Sequence, residues 1–237
     1  MLDNLRSIFK QMGVANGTLY LVSRVLERAT GGRVRLVRYC LVAQRVGVAS
    51  AKPMRPDANT QLRAVPEGDP WVARFPRPPH ILAARYAAGA TCTMALVKGE
   101  FAGFIWLQRG RYEEDELRSS YVLMDPARSV WDYDVYVEPR YRIGRTMGRL
   151  WQHVDAELAA QGVRWSFSRI SAFNPASLSS HAKLGTVPCG SVVYLMVGPW
   201  QFSFMGQWPW VHASFGPRSA PTVKLRPPPA VKEGVKE

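Results

Sequence analysis

From Ser129 to Ala160 the chain reads SVWDYDVYVEPRYRIGRTMGRLWQHVDAELAA, and from Val163 to Gly185 it reads VRWSFSRISAFNPASLSSHAKLG. In Trp131 to Val137 the apolar residues hold the odd positions, with Asp132 and Asp134 between them, which is the period of a strand. The period then changes. Ile143, Met147, Leu150, Val154 and Leu158 recur every three or four residues along one face of a helix that stops near Gly162. Val163, Trp165 and Phe167 alternate again as a strand. Strand, helix and strand in this order make a right-handed crossover with the two strands parallel. Asn174 suits an N-cap and Pro175 a first helical residue for a further helix to Leu184. Val192 to Val197 returns as a strand.

Upstream, Thr91–Val97 and Phe101–Gln108 are apolar runs separated by Lys98-Gly99-Glu100, the pattern of a hairpin. Ser119–Met124 and Ser129–Glu138 add two strands, turned by Asp125-Pro126. Four consecutive strands predict an antiparallel meander. Further out, Leu2–Met12 and Thr18–Ala29 read as two short helices, Arg33–Val46 as extended, Ala51–Pro79 as a long surface loop and Ile81–Ala88 as a helical turn or two. The aromatic run Trp200 to Trp210 reads as a final strand or packed loop. The expected organisation is one α+β domain over residues 33–215, with helices in 1–32 packing on it and a disordered Pro/Lys tail over 216–237. Its mixed sheet is a meander followed by a parallel βαβ crossover.

With 237 residues and 47% hydrophobic content, the chain can bury one substantial core. No apolar run is long enough to span a bilayer, and the first residues lack the order of a signal peptide, so a cytoplasmic protein is expected. Cys40, Cys92 and Cys189 are odd in number and widely spaced, and the four histidines show no ligand spacing. Neither a disulfide framework nor a metal is expected. A net charge of +13 suits a phosphate-rich partner, which a phosphorylated cofactor satisfies as well as a nucleic acid does. An arginine-rich solvated surface is the plain alternative.

Asp132 and Asp134, two residues apart on a strand, would share one face about 7 Å apart. Either is a candidate general base toward an attacking amine, and a solvent-facing carboxylate pair has the same pattern. Pro139 to Gly148 joins a strand end to a helix start with two glycines and three arginines. Free amides at a helix N-terminus, the helix dipole and the glycines together suit an anion. Glu113 to Glu116 form an acidic cluster that can attract a cationic amine or simply make a solvated turn.

The run from Val137 through Gly185 resembles the core of the GNAT N-acetyltransferases. In that family an R/Q-x-x-G-x-G/A loop after a strand holds the coenzyme A pyrophosphate. A later helix carries N-x-x-S/A-x-x-x-Y-x-K-x-G-F. Here Asn174, Ser177, His181, Lys183, Leu184 and Gly185 fall at the offsets of the second pattern. In the first, Arg142 leads, Arg145 and Met147 stand where glycines are expected, and Gly144 and Gly148 are each displaced by one. His181 replaces the tyrosine that protonates the departing thiolate.

The resemblance implies a GNAT-like acyltransferase fold and transfer of an acetyl group from acetyl-CoA, without a metal, to a small-molecule or peptide amine by direct attack. It implies cofactor contacts from Val135, Tyr136, Val137, Arg142, Ile143, Gly144, Arg145, Thr146, Met147, Gly148, Asn174 and Ser177, and a catalytic set drawn from His181, Asp132 and Asp134. Nucleic acid is not the expected partner on this reading, and the oligomeric state stays open, a homodimer included. The competing reading is a non-catalytic GNAT-like module that binds nucleic acid or another polyanion through its positive charge.

Overall fold

The computed structural model describes residues 2–48, 54–216 and 219–229. Helix α1 (Leu2–Ala29) is two helical segments joined at Gly13, whose φ of 73° and ψ of 170° interrupt the helix where the sequence places the gap between two helices. The first segment folds back on the second, so that a Cβ on Gly17 would come within 2.7 Å of the Phe9 ring. Strand β1 (Val34–Arg45) follows, then β2 (Thr60–Val65), a 3-10 turn at Pro70–Arg74, α2 (Pro79–Ala87) and the hairpin β3 (Thr91–Val97) with β4 (Glu100–Gln108). Next come β5 (Arg111–Glu113), β6 (Ser120–Leu123), β7 (Ser129–Val137), α3 (Thr146–Ala160), β8 (Trp165–Ser171) and α4 (Pro175–Lys183). The chain ends with β9 (Val187–Val197), β10 (Trp200–Met205), β11 (Val211–Ser214) and β12 (Thr222–Leu225).

Nine strands form one sheet in the order β11-β10-β9-β1-β8-β7-β4-β3-β2. Every neighbouring pair is antiparallel except β7 and β8, the pair joined by the α3 crossover. The expected meander and parallel βαβ unit are both present. The meander, however, is β2-β3-β4-β7. Ser119–Met124 leaves it, because β6 joins β5 and β12 in a separate three-stranded sheet. The reason is aromatic packing: Tyr121 stacks on Trp131 at 4.6 Å between ring centroids, Tyr112 lies 4.4 Å from Tyr133, and the Tyr194 hydroxyl lies 2.7 Å from Ser119 Oγ and 3.1 Å from the Tyr121 hydroxyl.

Two further expectations fail for local reasons. The expected loop Ala51–Pro79 holds edge strand β2, which buries Val65 against β3 between proline-rich flanks, and Asp69 caps the 3-10 turn by accepting from the Trp71 amide at 2.9 Å. Residues 51–53 of that loop lie outside the described residues. In the tail expected to be disordered, Thr222–Leu225 is a strand parallel to β6, with Val223 and Leu225 buried and Lys224 exposed. A period-two pattern of four residues is enough to complete a small sheet when the neighbouring strand supplies the pairing. The tail from 230 onward lies outside the described residues.

Helix α3 covers one face of the sheet by burying Leu150, Val154 and Leu158 against Ile105, Val130 and Val163, each worth about 1.5–3 kcal/mol of transfer. Ile143, read as the first residue of this stripe, lies before the helix and is fully exposed. The other face carries the larger aromatic core around Phe104, Trp106, Trp131 and Phe167. Among the described residues no helix is long and apolar enough to cross a membrane, and the three cysteines are unpaired.

Candidate active site

Strands β7 and β8 pair only at Ser129, Val130 and Trp131 with Trp165, Ser166 and Phe167. Beyond Trp131 they part. β8 stays bonded to β1 through Ser171, and β7 stays bonded to β4 through Val137, so the edges of Asp132–Val137 and Ser168–Ser171 that face each other lack strand partners. Asp132 sits on the floor of this wedge, buried, and accepts from Ser166 Oγ at 2.6 Å. Burial pushes its carboxyl up to about 6, while bonds from Ser166 and Ser168 and the charge of His181 hold it below where burial alone would take it.

Asp134 does not share that face. Its φ of 47° and the register shift opposite Phe104 and Trp106 mark a β-bulge, with an extra residue on β7. Tyr133 and Tyr136, three residues apart, consequently join the same aromatic cluster, which an unbroken strand forbids. The expectation of two carboxylates on one face fails here. Asp134 turns instead to Arg77 and Arg85, accepting from Arg77 Nε at 2.8 Å. Gly103 permits the bulge, since a Cβ there would come within 2.3 Å of the Tyr136 carbonyl oxygen.

A cavity of about 790 Å³ opens at the wedge and reaches Asp132, Asp134, Val135 and Asn174. Its walls are ion pairs. Arg85, buried, donates to Asp115 at 2.6 Å and lies over the Tyr133 ring. Burial opposes its charge, but hydrogen bonds to Asp115 and Asp134 overcome that and hold its pKa above the usual range. Arg169 of β8 forks onto Glu114, whose carboxylate is fully enclosed, and lies 4.1 Å from the Tyr39 ring centroid. Burial pushes the Glu114 carboxyl up against the pull of Arg169. Of the acidic cluster only Glu114 is turned inward; Asp115 and Glu116 reach the cavity from its exposed rim, and Glu113 lies away from it, paired to Arg111.

Helix α4 begins as its sequence requires: Asn174 Oδ1 accepts from the Ser177 amide at 3.0 Å, and Gly185, at φ 76°, turns the chain off its end. His181 Nδ1 donates to the Ser177 carbonyl at 2.8 Å, which leaves Nε2 as the free nitrogen of the neutral ring. At the other rim, α3 opens without a side-chain cap at Arg145, leaving its first amides for an anion. Arg142 Nε donates back to the Val137 carbonyl at 2.9 Å and is tied to the end of β7.

No sequence-family model and no curated protein matches this chain. Among solved structures, a conserved Staphylococcus epidermidis protein of unknown function superposes over 74% of this chain and 67% of its own, with a TM-score of 0.50 and 11% identity. A tandem GNAT protein from the clavulanic acid pathway matches over 70% of this chain and 55% of its own, with a TM-score of 0.46 and 16% identity. A Trypanosoma brucei acetyltransferase matches over 53% and 91%, with a TM-score of 0.38 and 19% identity. The likeness to the Staphylococcus epidermidis protein is one of fold. At such identities the likeness concerns the backbone and not the reaction.

On this frame, Asp132, Val135 and Asn174 line the cavity at the wedge, while Tyr136 and Val137 continue the free edge of β7. His181 and Ser177 lie on α4, with the ring within electrostatic reach of Asp132. Ile143, Gly144, Arg145, Thr146 and Met147 form the turn into α3. Gly148 is used for packing: a Cβ there would strike the Met54 methyl at 2.3 Å. The sequence reading missed Arg77, Arg85, Arg169 and Ser166. For Arg85 a clue existed, a lone cation within the otherwise apolar helix Ile81–Ala88.

Proposed function

We infer that this chain is an N-acetyltransferase that uses acetyl-CoA as acyl donor and an amine as acceptor. The observation that carries the reading is the wedge between β7 and β8 with the buried carboxylate of Asp132 on its floor. The residues present fit the donor: an unpaired strand edge suits an amide-bearing arm, and the uncapped start of α3 with Arg142 and Arg145 suits phosphates. When bound, acetyl-CoA supplies an activated acetyl thioester.

The remaining chemistry belongs to the chain. A lysine-like amine with a pKa of about 10.4 is neutral in only about one molecule per thousand at pH 7. Asp132, pushed up to about 6, is largely ionised at neutral pH and basic enough to take the amine's proton, directly or through water. Ser166 holds its carboxylate in place. His181, in its imidazolium form, gives a proton to the leaving sulfur; its Nδ1 bond to Ser177 fixes the ring and leaves Nε2 for that task. The walls of the cavity, with Arg85 and Arg169 locked in ion pairs, supply a rigid acceptor site.

Calorimetry tests the reading. Acetyl-CoA should bind, and at about 100 times its Kd should stabilise the fold by about 2.7 kcal/mol. Changing Arg142 and Arg145 together to alanine should weaken coenzyme A at least about tenfold, at the 1.5–3 kcal/mol of a charge-assisted bond, and leave a dephosphorylated pantetheine fragment unaffected. No heat at millimolar acetyl-CoA would remove the enzyme reading.

A further inference from the structure

Strands β9, β10 and β11 carry an ordered array of apolar side chains on one face. The pairing sets Val197, Leu195 and Val193 of β9 beside Trp200, Phe202 and Phe204 of β10. On the far side Ala213 lies beside Phe202, Val211 beside Phe204, and the Phe215 ring meets Trp200 edge-on at 3.7 Å. None of these nine side chains is buried, and five of them are 39% to 55% exposed. On the opposite face of the same strands Gln201, Ser203 and Ser214 are buried beside Val192, Tyr194 and Met205, with the Gln201 amide donating to the Arg118 carbonyl at 2.6 Å. Three buried polar side chains behind an outer apolar array are not what an isolated surface favours.

Helix α1 packs on this same face, over β1, where Asn16 accepts from Arg38 and Ser23 donates to the Leu36 carbonyl. It leaves β9 to β11 open. At about 150–250 Å² per aromatic side chain, the array exposes on the order of 600 Å² of apolar surface. That is most of the ~800 Å² that each partner contributes to a standard interface. From Leu184 to Pro217 the sequence contains no Asp, Glu, Lys or Arg, in a chain that is 21% charged overall. Absence of charge is the mark of an interface core, whereas a surface made for anionic lipid sets basic residues around its aromatics. For a chain of net charge +13, an uncharged face is also where a second copy meets least repulsion.

We propose that this face is the contact of a homodimer, in which two copies pack sheet on sheet about a two-fold axis. The small Ala213 and the valines beside the large rings let the two arrays interdigitate.

Size-exclusion chromatography with light scattering on the full chain tests it, at about 10 μM, a concentration at which many interfaces of this area associate. The wild type should elute at twice the mass of one chain and stay there in high salt. Phe204→Glu and, separately, Phe215→Glu should weaken association by about tenfold or more, as for an interface aromatic, with unchanged circular dichroism because both sites are exposed in the monomer. A monomeric wild type, or a dimer indifferent to both substitutions, overturns the proposal. So does a monomer that floats with phosphatidylserine-containing vesicles, which would assign the face to a lipid surface.

Discussion

Asp132→Asn should make the protein more stable at pH 8 while leaving it almost unchanged near pH 4. The carboxyl is pushed up to about 6 in the fold from an ordinary value of 3.8. Below 3.8 both the native and the unfolded chain carry it protonated, and there is no penalty. As pH rises through 6 the unfolded chain ionises first, so native stability falls across that window and stays lower above it. Two pKa units correspond to on the order of 3 kcal/mol. Asparagine has the same shape and no charge to bury; its weaker bond to Ser166 gives back about 1 kcal/mol. A net gain of about 2 kcal/mol should raise Tm by roughly 4–8 °C in a domain of this size. Urea unfolding of both proteins at intervals from pH 4.5 to 8 measures the difference directly. A difference that does not change with pH, or an asparagine variant that is the less stable at pH 8, would refute the reasoning.

His181→Phe should lower kcat by about 10²–10⁴-fold with little change in acetyl-CoA affinity. Steady-state kinetics with an unchanged turnover in a folded variant would remove its role as the acid. Arg85→Leu strands the carboxylate of Asp115 and leaves Asp134 to Arg77 alone, and should cost at most about 3–5 kcal/mol in urea unfolding at pH 7. Adding Asp134→Asn should recover part of that loss, and a cost below about 1 kcal/mol for Arg85→Leu would show that the pairs are not coupled to the fold.

Local patterns in the sequence carried the crossover, because Leu150, Val154 and Leu158 need only one helix and one sheet face to be satisfied. The cap at Asn174 and the turn at Gly185 were readable for the same reason: each is a bond or a torsion within four residues. The bulge was not. Trp131 to Val135 alternates on paper, and the extra residue exists because β4 opposes β7 in a shifted register, with Asp134 among the residues that tolerate positive φ. The ion pairs around the cavity were equally hidden, since Arg77, Arg85 and Arg169 reach their carboxylates across 30 to 57 residues of chain. β12 was concealed by its surroundings, four alternating residues inside a proline-rich tail.

The position of β1 governs when the protein can become itself during synthesis. Residues 34–45 form the strand between β8 and β9, so its two neighbours are residues 165–171 and 187–197. At 5–20 residues per second, roughly ten to thirty seconds of translation separate the appearance of this strand from that of its last neighbour. Residues 165–171 arrive before residues 187–197, so one edge of this largely apolar strand stays without its neighbour for the whole of that interval, and the sheet closes around it late.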